Sequence, residues 1–523
     1  MTSALARPVI AVALGTAMAV LFGCAAHVEA PPVAGPRASV AAAAALTTEQ
    51  VRMIDRLTWG ADAATVRTVQ SVGFERYLAQ QLDPGPAALP EAAQAQIAAM
   101  TISQRPLMPH ARELEIQRRA NAAIVDNAQK ALAQRAWYQE LARLGNEAAT
   151  RALLRALYSP NQLHEQMTWF WMNHFNIFQN KSNLRLLVGD YEEQAIRPHA
   201  LGRFRDLLGA AVQHPAMLRY LDNEQNAANR INENLARELM ELHTLGVDGG
   251  YNQQDVQEMA RILTGLSLTF GLNPNAPNHG PRGEITRRGL FEFNPVRHDF
   301  GDKRVLGHTI RGRGLAELEE ALDLLARHPA TARFVSGKLA TFFVADTPPP
   351  ALVERMAATF LARDGDIPAT LRTLIDSPEL RQSLGHKFKD PVRYVVSSVR
   401  LAYGDRPITN PLPLLNWLTR MGQPFYGRQT PDGYPMVEGA WNSPGQMSTR
   451  FEFARALAAG SAGLVHREPP APGEPREPPP LRAASSHTLQ DTLSMRTRAA
   501  LAQARSPQEW NTFLLSAPEV MYR

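Results

Sequence analysis

Four places in this chain combine residue types that do chemistry. The first is Asn173-His174, inside the aromatic run Trp169-Phe170-Trp171-Met172-Asn173-His174-Phe175. His174 stands four residues after Phe170 and four before Phe178, so on a helix it faces the apolar side. That placement suits a hydrogen-bonded core histidine, or a buried imidazole poised as base or ligand. The second is the charged stretch Glu233, Arg237, Glu238 and Glu241. Glu233, Arg237 and Glu241 recur every four residues, an ordinary ion-pair ladder along one helix face. Glu238 lies off that line, near Asn234 and Leu242, and a buried carboxylate there needs a partner. Glu238 and Glu241 have the spacing of helix-borne metal ligands, but Thr244 stands where a Glu-x-x-His motif would place histidine. The sequence specifies no particular metal or other cofactor. The third is Arg297-His298-Asp299-Phe300-Gly301-Asp302-Lys303, within a glycine-rich stretch where loops carry function. Between Arg282 and Arg313, eight basic residues face four acidic ones, so Lys303 suits an anion, or the cluster is a solvated turn. The fourth is Trp441-Asn442 beside Gly439, an aromatic that suits sugar stacking or plain packing. No Gly-x-Ser-x-Gly elbow, phosphate loop, dinucleotide fingerprint or His-Glu-x-x-His occurs, which argues against the commonest hydrolase, kinase and zinc-protease signatures.

The single cysteine, Cys24, excludes an internal disulfide and a cysteine-based zinc site. It follows Leu21-Phe22-Gly23 at the end of an apolar run from Val9, preceded by Arg7. The run is too short for a comfortable membrane span and reads as a signal peptide over 1–23. An aliphatic residue, a small residue and then Cys resembles a bacterial lipobox, so Cys24 is the expected lipid attachment site. Two or three acyl chains suffice for stable anchoring. Ala25 follows, with no Asp to signal inner-membrane retention, so the expected address is the cell envelope, at the outer membrane. Residues 24–46, rich in Ala, Pro and Val, read as a tether. The net charge of +5 falls to +4 without Arg7, and the longest basic runs are pairs such as Arg118-Arg119. That is too little for a nucleic-acid binder.

The elements that must position these groups are helices. Thr47 and Gln50 form a capping-box pattern, Asp62 caps a second helix, and a third spans Phe74 to Leu82. Residues 85–106 read as a loop, and Leu107 to Tyr158 as continuous helix. Ser159-Pro160-Asn161-Gln162 and Ser443-Pro444-Gly445-Gln446 both read as cap, proline at the first turn, and a glutamine reaching back. His214-Pro215 and His328-Pro329 each start a helix. Asn232 caps Glu233 to Leu245, which stops at Gly246, and Asn252 with Asp255 opens the next helix. Residues 269–314 read as an irregular insert with a small β element, and 467–482, with seven prolines, as a flexible insert.

Trp171-Met172-Asn173-His174-Phe175, Ile196-Arg197-Pro198-His199, the stretch from Asn232 to Gly246 (NENLARELMELHTLG), Leu263-Thr264-Gly265, His298-Asp299 with Lys303, and Arg327-His328-Pro329 together resemble the bacterial family called domain of unknown function 1800. The likeness runs from about Arg52 to the Ser516-Ala517-Pro518-Glu519 segment. Leu235 and the 467–482 insert depart from it. The resemblance implies export, and an exported partner resembling the alkaline-phosphatase/sulfatase superfamily. It implies no particular reaction, and function must be argued from a site.

The expected architecture is therefore mainly α: one large multi-helix domain over 47–523 with a small β-containing insert. Two functional readings stand. In one, an envelope-anchored enzyme acts on an anionic or carbohydrate polymer: His174, Glu238, His298, Asp299 and Lys303 converge, Lys303 and Arg237 orient anionic groups, and Trp441 contributes to substrate binding. In the other, a non-catalytic lipoprotein binds or assembles with a partner. Convergence of His174, Glu238 and His298 around a concave pocket separates the two.

Overall fold

Local capping signals set many of the helix starts. In a computed structural model that describes residues 46–272, 279–280, 283–404, 406–465, 489 and 491–523, Thr47 caps the helix Thr48–Leu57. Its hydroxyl accepts from Gln50 N at 3.2 Å, and Gln50 Oε1 accepts from Thr47 N at 3.0 Å. Asp62 caps Ala63–Val72, and Phe74–Leu82 follows as expected. His214 and His328 both cap helices through Nδ1, which accepts from Ala216 N at 3.1 Å and Ala330 N at 3.2 Å. Cys24, the signal peptide, the tether up to residue 45 and the 467–482 insert lie outside the described residues.

Several expected boundaries change. Residues 85–106 contain two short helices, Glu91–Ala98 and Thr101–Gln104. Leu107 to Tyr158 is two helices, Leu107–Ala123 and Asn127–Tyr158, because Ile124 is extended and Asp126 caps anew through Gln129 N at 2.8 Å. Ser159 is not an N-cap, since it already ends the preceding helix. The next helix starts one turn of chain later, at Gln162, whose amide reaches back to the Ser159 carbonyl at 2.7 Å. The second Ser-Pro start behaves as expected: Ser443 caps Pro444–Ala458.

Gln162–His174 is the axis of the core. Leu163, Met167, Phe170 and Trp171 are buried, and Trp171 Nε1 donates to the Ala200 carbonyl at 3.0 Å. The helices Thr48–Leu57, Phe74–Leu82 and Asn127–Tyr158 pack against it. Two segments are π-helical, Tyr191–Ile196 and Leu239–Thr244. The second interrupts the expected Glu233–Leu245 helix: Leu245 N donates five residues back, to the Met240 carbonyl, at 2.9 Å. Such wide turns concentrate at functional sites.

The insert contains a three-stranded antiparallel sheet in the order Leu266–Leu268, Phe291–Phe293, Thr286–Arg288, with Phe293 opposite both Leu266 and Thr286. Two small hairpins accompany it, His279–Gly280 with Gly283–Glu284 and Lys303–Val305 with His308–Ile310. The architecture is mainly α with a small β insert, and the folded residues form one unit. Among the described residues no helix is long and apolar enough to cross a membrane.

Candidate functional site

The Asn173-His174 pair closes the C-terminal end of the central helix. His174 is 1% exposed, and rings of Phe170, Trp171, Phe175, Phe204 and Phe334 surround it at 4.6–6.4 Å between centroids. Its Nε2 lies 3.0 Å from the His243 carbonyl. A carbonyl only accepts, so Nε2 carries the hydrogen and donates, leaving Nδ1 as a bare lone pair. That Nδ1 is buried without a hydrogen-bond partner among the described residues. Burial takes the imidazole well below its usual range, and the Lys338 charge adds to this.

His243, on the π-helix, is fully buried, 6.0 Å from the His174 ring. Neither of its ring nitrogens has a described partner. Burial, reinforced by Lys338, takes its pKa down to about 3. Lys338 comes from the helix Pro329–Phe343 and lies 5.3 Å from the centre of the Phe334 ring. It has no hydrogen bond or ion pair among the described residues. Burial lowers its amine to about 8, while Asp432 pulls the other way.

Asp432 is delivered by a loop that the central helix holds down. Asn173 Nδ2 donates to the Tyr434 carbonyl at 2.9 Å, and Asn173 Oδ1 accepts from Tyr434 N at 2.6 Å. Asn176 donates to the carbonyls of Arg428 and Thr430 at 3.0 and 2.8 Å. Tyr220 donates to the Gln429 carbonyl at 2.7 Å. Gly433 makes the close approach possible: its φ is +76°, and a Cβ there would overlap the Asn173 carbonyl.

Glu238 completes the group. It ends the helix Asn234–Glu238, is partly buried, and has no hydrogen bond or ion pair among the described residues. Burial, then Glu241 and Asp432, raise its pKa. Asp432 goes the opposite way: burial would raise it, but hydrogen bonds from Arg428 and Thr430 outweigh that and hold it down. Tyr220 is raised by burial and by the charges of Glu238 and Asp432. Asp432 thus lies within electrostatic reach of Glu238, Tyr220 and Lys338, and Lys338 within reach of both histidines. Two carboxyls whose environments push them apart are the pattern of an acid and its complementary base.

The five-residue convergence expected from the sequence does not form. His298, fully buried, shares no hydrogen-bond or ring partner with His174. Its Nδ1 meets the Thr264 carbonyl at 2.8 Å and its Nε2 meets Glu317 Oε1 at 2.9 Å. Lys303 is equally buried, and donates to the other Glu317 oxygen and to the Asp299 carbonyl. Glu317 also accepts from Arg313 N and Gly314 N, at 2.6 and 2.7 Å. Every strong polar group in this knot is used, so it fastens the β insert to the helix Leu315–Ala326. Asp299 is committed to Arg261 through two bonds, of 2.8 and 3.1 Å.

Arg237 stays near Glu238 but is held by Glu233 and Gln253, both at 2.9 Å. Trp441 is buried and offers no open stacking face: its Nε1 donates to the Pro435 carbonyl at 2.9 Å, and the ring packs 6.0 Å from Tyr434. The sequence reading missed Tyr220, His243, Lys338 and Asp432. Lys338, four residues after Phe334 among Val335, Leu339 and Phe342, was a visible signal as a cation on an apolar face. The turn Thr430-Pro431-Asp432-Gly433 was another. Among the described residues no three His, Asp or Glu side chains gather as a metal-binding cluster.

No curated protein and no solved structure matches the chain. A family model described as a protein of unknown function, DUF1800, matches residues 52–522. That span holds every described residue of the site, and the chain belongs to the DUF1800 family.

Proposed function

We propose that this chain is an exported lipoprotein, anchored through Cys24, that hydrolyses an anionic or carbohydrate polymer of the cell envelope by acid–base chemistry. The observation that carries the reading is the pair Glu238 and Asp432, two neighbouring carboxyls driven in opposite directions. Glu238, raised and unpaired, is the general acid that protonates a leaving oxygen. Asp432, kept ionised by Arg428 and Thr430, is the base that activates water or the group that stabilises developing positive charge. Lys338, with a free amine, holds an anionic substituent. His174 and His243, buried and within electrostatic reach of Lys338, stay neutral.

The test is release of reducing ends from purified envelope polysaccharide by the full chain. Glu238→Gln and Asp432→Asn are each expected to lower the rate by about 10²–10⁴-fold, with little change in melting temperature. Wild-type protein that releases nothing, or variants that keep full activity, would sink the proposal.

The saturated knot at His298, Asp299 and Lys303 favours a second reading. With those groups spent on structure, the protein serves as a non-catalytic assembly lipoprotein for an exported partner of the alkaline-phosphatase/sulfatase-like superfamily. Co-purification of such a partner with the Glu238→Gln variant, together with no hydrolysis by either form, would select it.

A further inference from the structure

A polar cleft of about 360 Å³ is lined by none of the residues just discussed. The short helix Thr101–Gln104 and the start of Leu107–Ala123 form one side. Residues from Leu184–Asp190 and the π-helix Tyr191–Ile196 form the other, and Arg151 of the long helix contributes to the wall. Its volume is at the lower end for small-molecule pockets.

Most charges on this lining are already spent. Arg105 pairs with Glu113 at 2.5 Å, and Asp190 with His214 at 3.1 Å. Glu193 is shared by Arg155 and by Arg197, the latter at 2.9 Å. One guanidinium group is unspent among the described residues, and a second is spent only in part. Arg185, partly exposed, has no hydrogen bond or ion pair among the described residues. Arg151 is 7% exposed and donates from one terminal nitrogen to the Gly189 carbonyl at 2.6 Å. Its Nε is buried without a hydrogen bond among the described residues and keeps only a long ion pair, 3.7 Å from the Glu193 carboxylate oxygen. A buried N–H of a cation without an acceptor is costly, and an oxyanion relieves that cost.

The shape of the cleft depends on a missing side chain. A Cβ on Gly189 would lie 3.1 Å from Ala148 Cβ and 3.2 Å from a terminal nitrogen of Arg151. Ser103, Gln104 and Gln194 add hydroxyl and amide groups to the lining, which suit a ligand with several hydroxyls.

We propose that this cleft binds a sugar unit bearing one oxyanion, a carboxylate or a phosphate, with Arg185 and Arg151 as its anchors. The site stands apart from the Glu238–Asp432 pair, and its test reads binding rather than turnover. Calorimetric titration of the full chain would use glucuronate, glucose 6-phosphate, glucose and inorganic phosphate as probes. One of the two anionic sugars is expected to bind at least tenfold more tightly than glucose or phosphate, which also tells carboxylate from phosphate. Arg185→Gln is expected to weaken that binding at least tenfold and to leave the melting temperature unmoved, because Arg185 has no hydrogen bond or ion pair among the described residues. Gly189→Ala, by crowding Arg151, is expected to weaken it too. Equal binding of glucose and the anionic sugars, no binding of either anionic sugar, or full affinity in Arg185→Gln would each overturn the proposal.

Discussion

Three buried histidines show how much one residue type depends on its neighbours. His298 finds an acceptor at each ring nitrogen and becomes part of a fastening. His174 finds one acceptor, and His243 finds none. The last two are therefore kept neutral by burial, far below the unfolded value of about 6.5. The consequence for stability has a definite sign. The unfolded chain binds protons at these positions that the folded chain refuses, so stability is fully present above pH about 6.5 and is lost as pH falls toward the folded values, about 3 for His243. Each histidine is expected to cost up to about 1.4 kcal/mol per pH unit in that window. Urea unfolding at pH 7.5, 6 and 5 checks this. His243→Leu, which keeps the site apolar, should flatten the dependence by about half of the histidine contribution. A wild-type midpoint that does not move over this range would contradict the assignment. His174 was readable as buried from its spacing to Phe170 and Phe178. Its single hydrogen bond was not, because the acceptor is a carbonyl 69 residues away.

At the scale of elements, the extra residue in the turn Leu239–Thr244 decides which side chains meet. The spacing of Glu233, Arg237 and Glu241 predicts a continuous ladder. Glu233 and Arg237 do pair, but no Arg237–Glu241 ion pair forms: Arg237 turns to Gln253, and Glu241 meets Tyr251. The wide turn also brings His243 against the central helix. The loop carrying Asp432 is the other deciding element, held by Asn173, Asn176 and Tyr220. Gly433→Ala places a side chain where the Asn173 carbonyl already lies, in a backbone region unfavourable for alanine. The loop is then expected to lift. Amide hydrogen exchange in residues 428–434 should speed up at least tenfold, with the Gln162–His174 helix unchanged and the proposed hydrolysis lost. Unaltered exchange in the loop would show that the clamp does not hold it.

At the scale of the whole molecule, buried arginines tie distant segments together. Arg56, fully buried, donates to the Phe343 carbonyl at 2.5 Å, to Ser383 Oγ at 2.8 Å, and to the carbonyls of Ser383 and Arg523, both at 2.5 Å. Burial, and then Arg523, lower its pKa to about 9, so the cation is held at a cost that these acceptors offset. Arg56→Met removes the charge together with its donors. It should destabilise the fold by about 2–4 kcal/mol, the loss of several charged hydrogen bonds less the relief of burying a cation. Arg56→Lys should recover little of this, since an ammonium cannot span the same fork of acceptors. Urea midpoints of the three forms decide the point, and equal midpoints would remove the arginine from this role.

What the sequence determined by itself is the set of features that act over a turn or two of chain. These are the capping boxes at Thr47/Gln50 and Asn252/Asp255, the histidine caps before Pro215 and Pro329, the helical class and the family motifs. Each depends on groups a few residues apart, whose geometry the helix itself fixes. Tertiary structure alone decided which polar residues are spent and which are free. Glu317 lies 19 residues from His298, Tyr434 lies 261 from Asn173, and Arg523 lies 467 from Arg56. Contacts at such separations arise only when whole helices pack, so an identical side chain ends as a fastening or as a candidate reactive group according to what the fold places beside it.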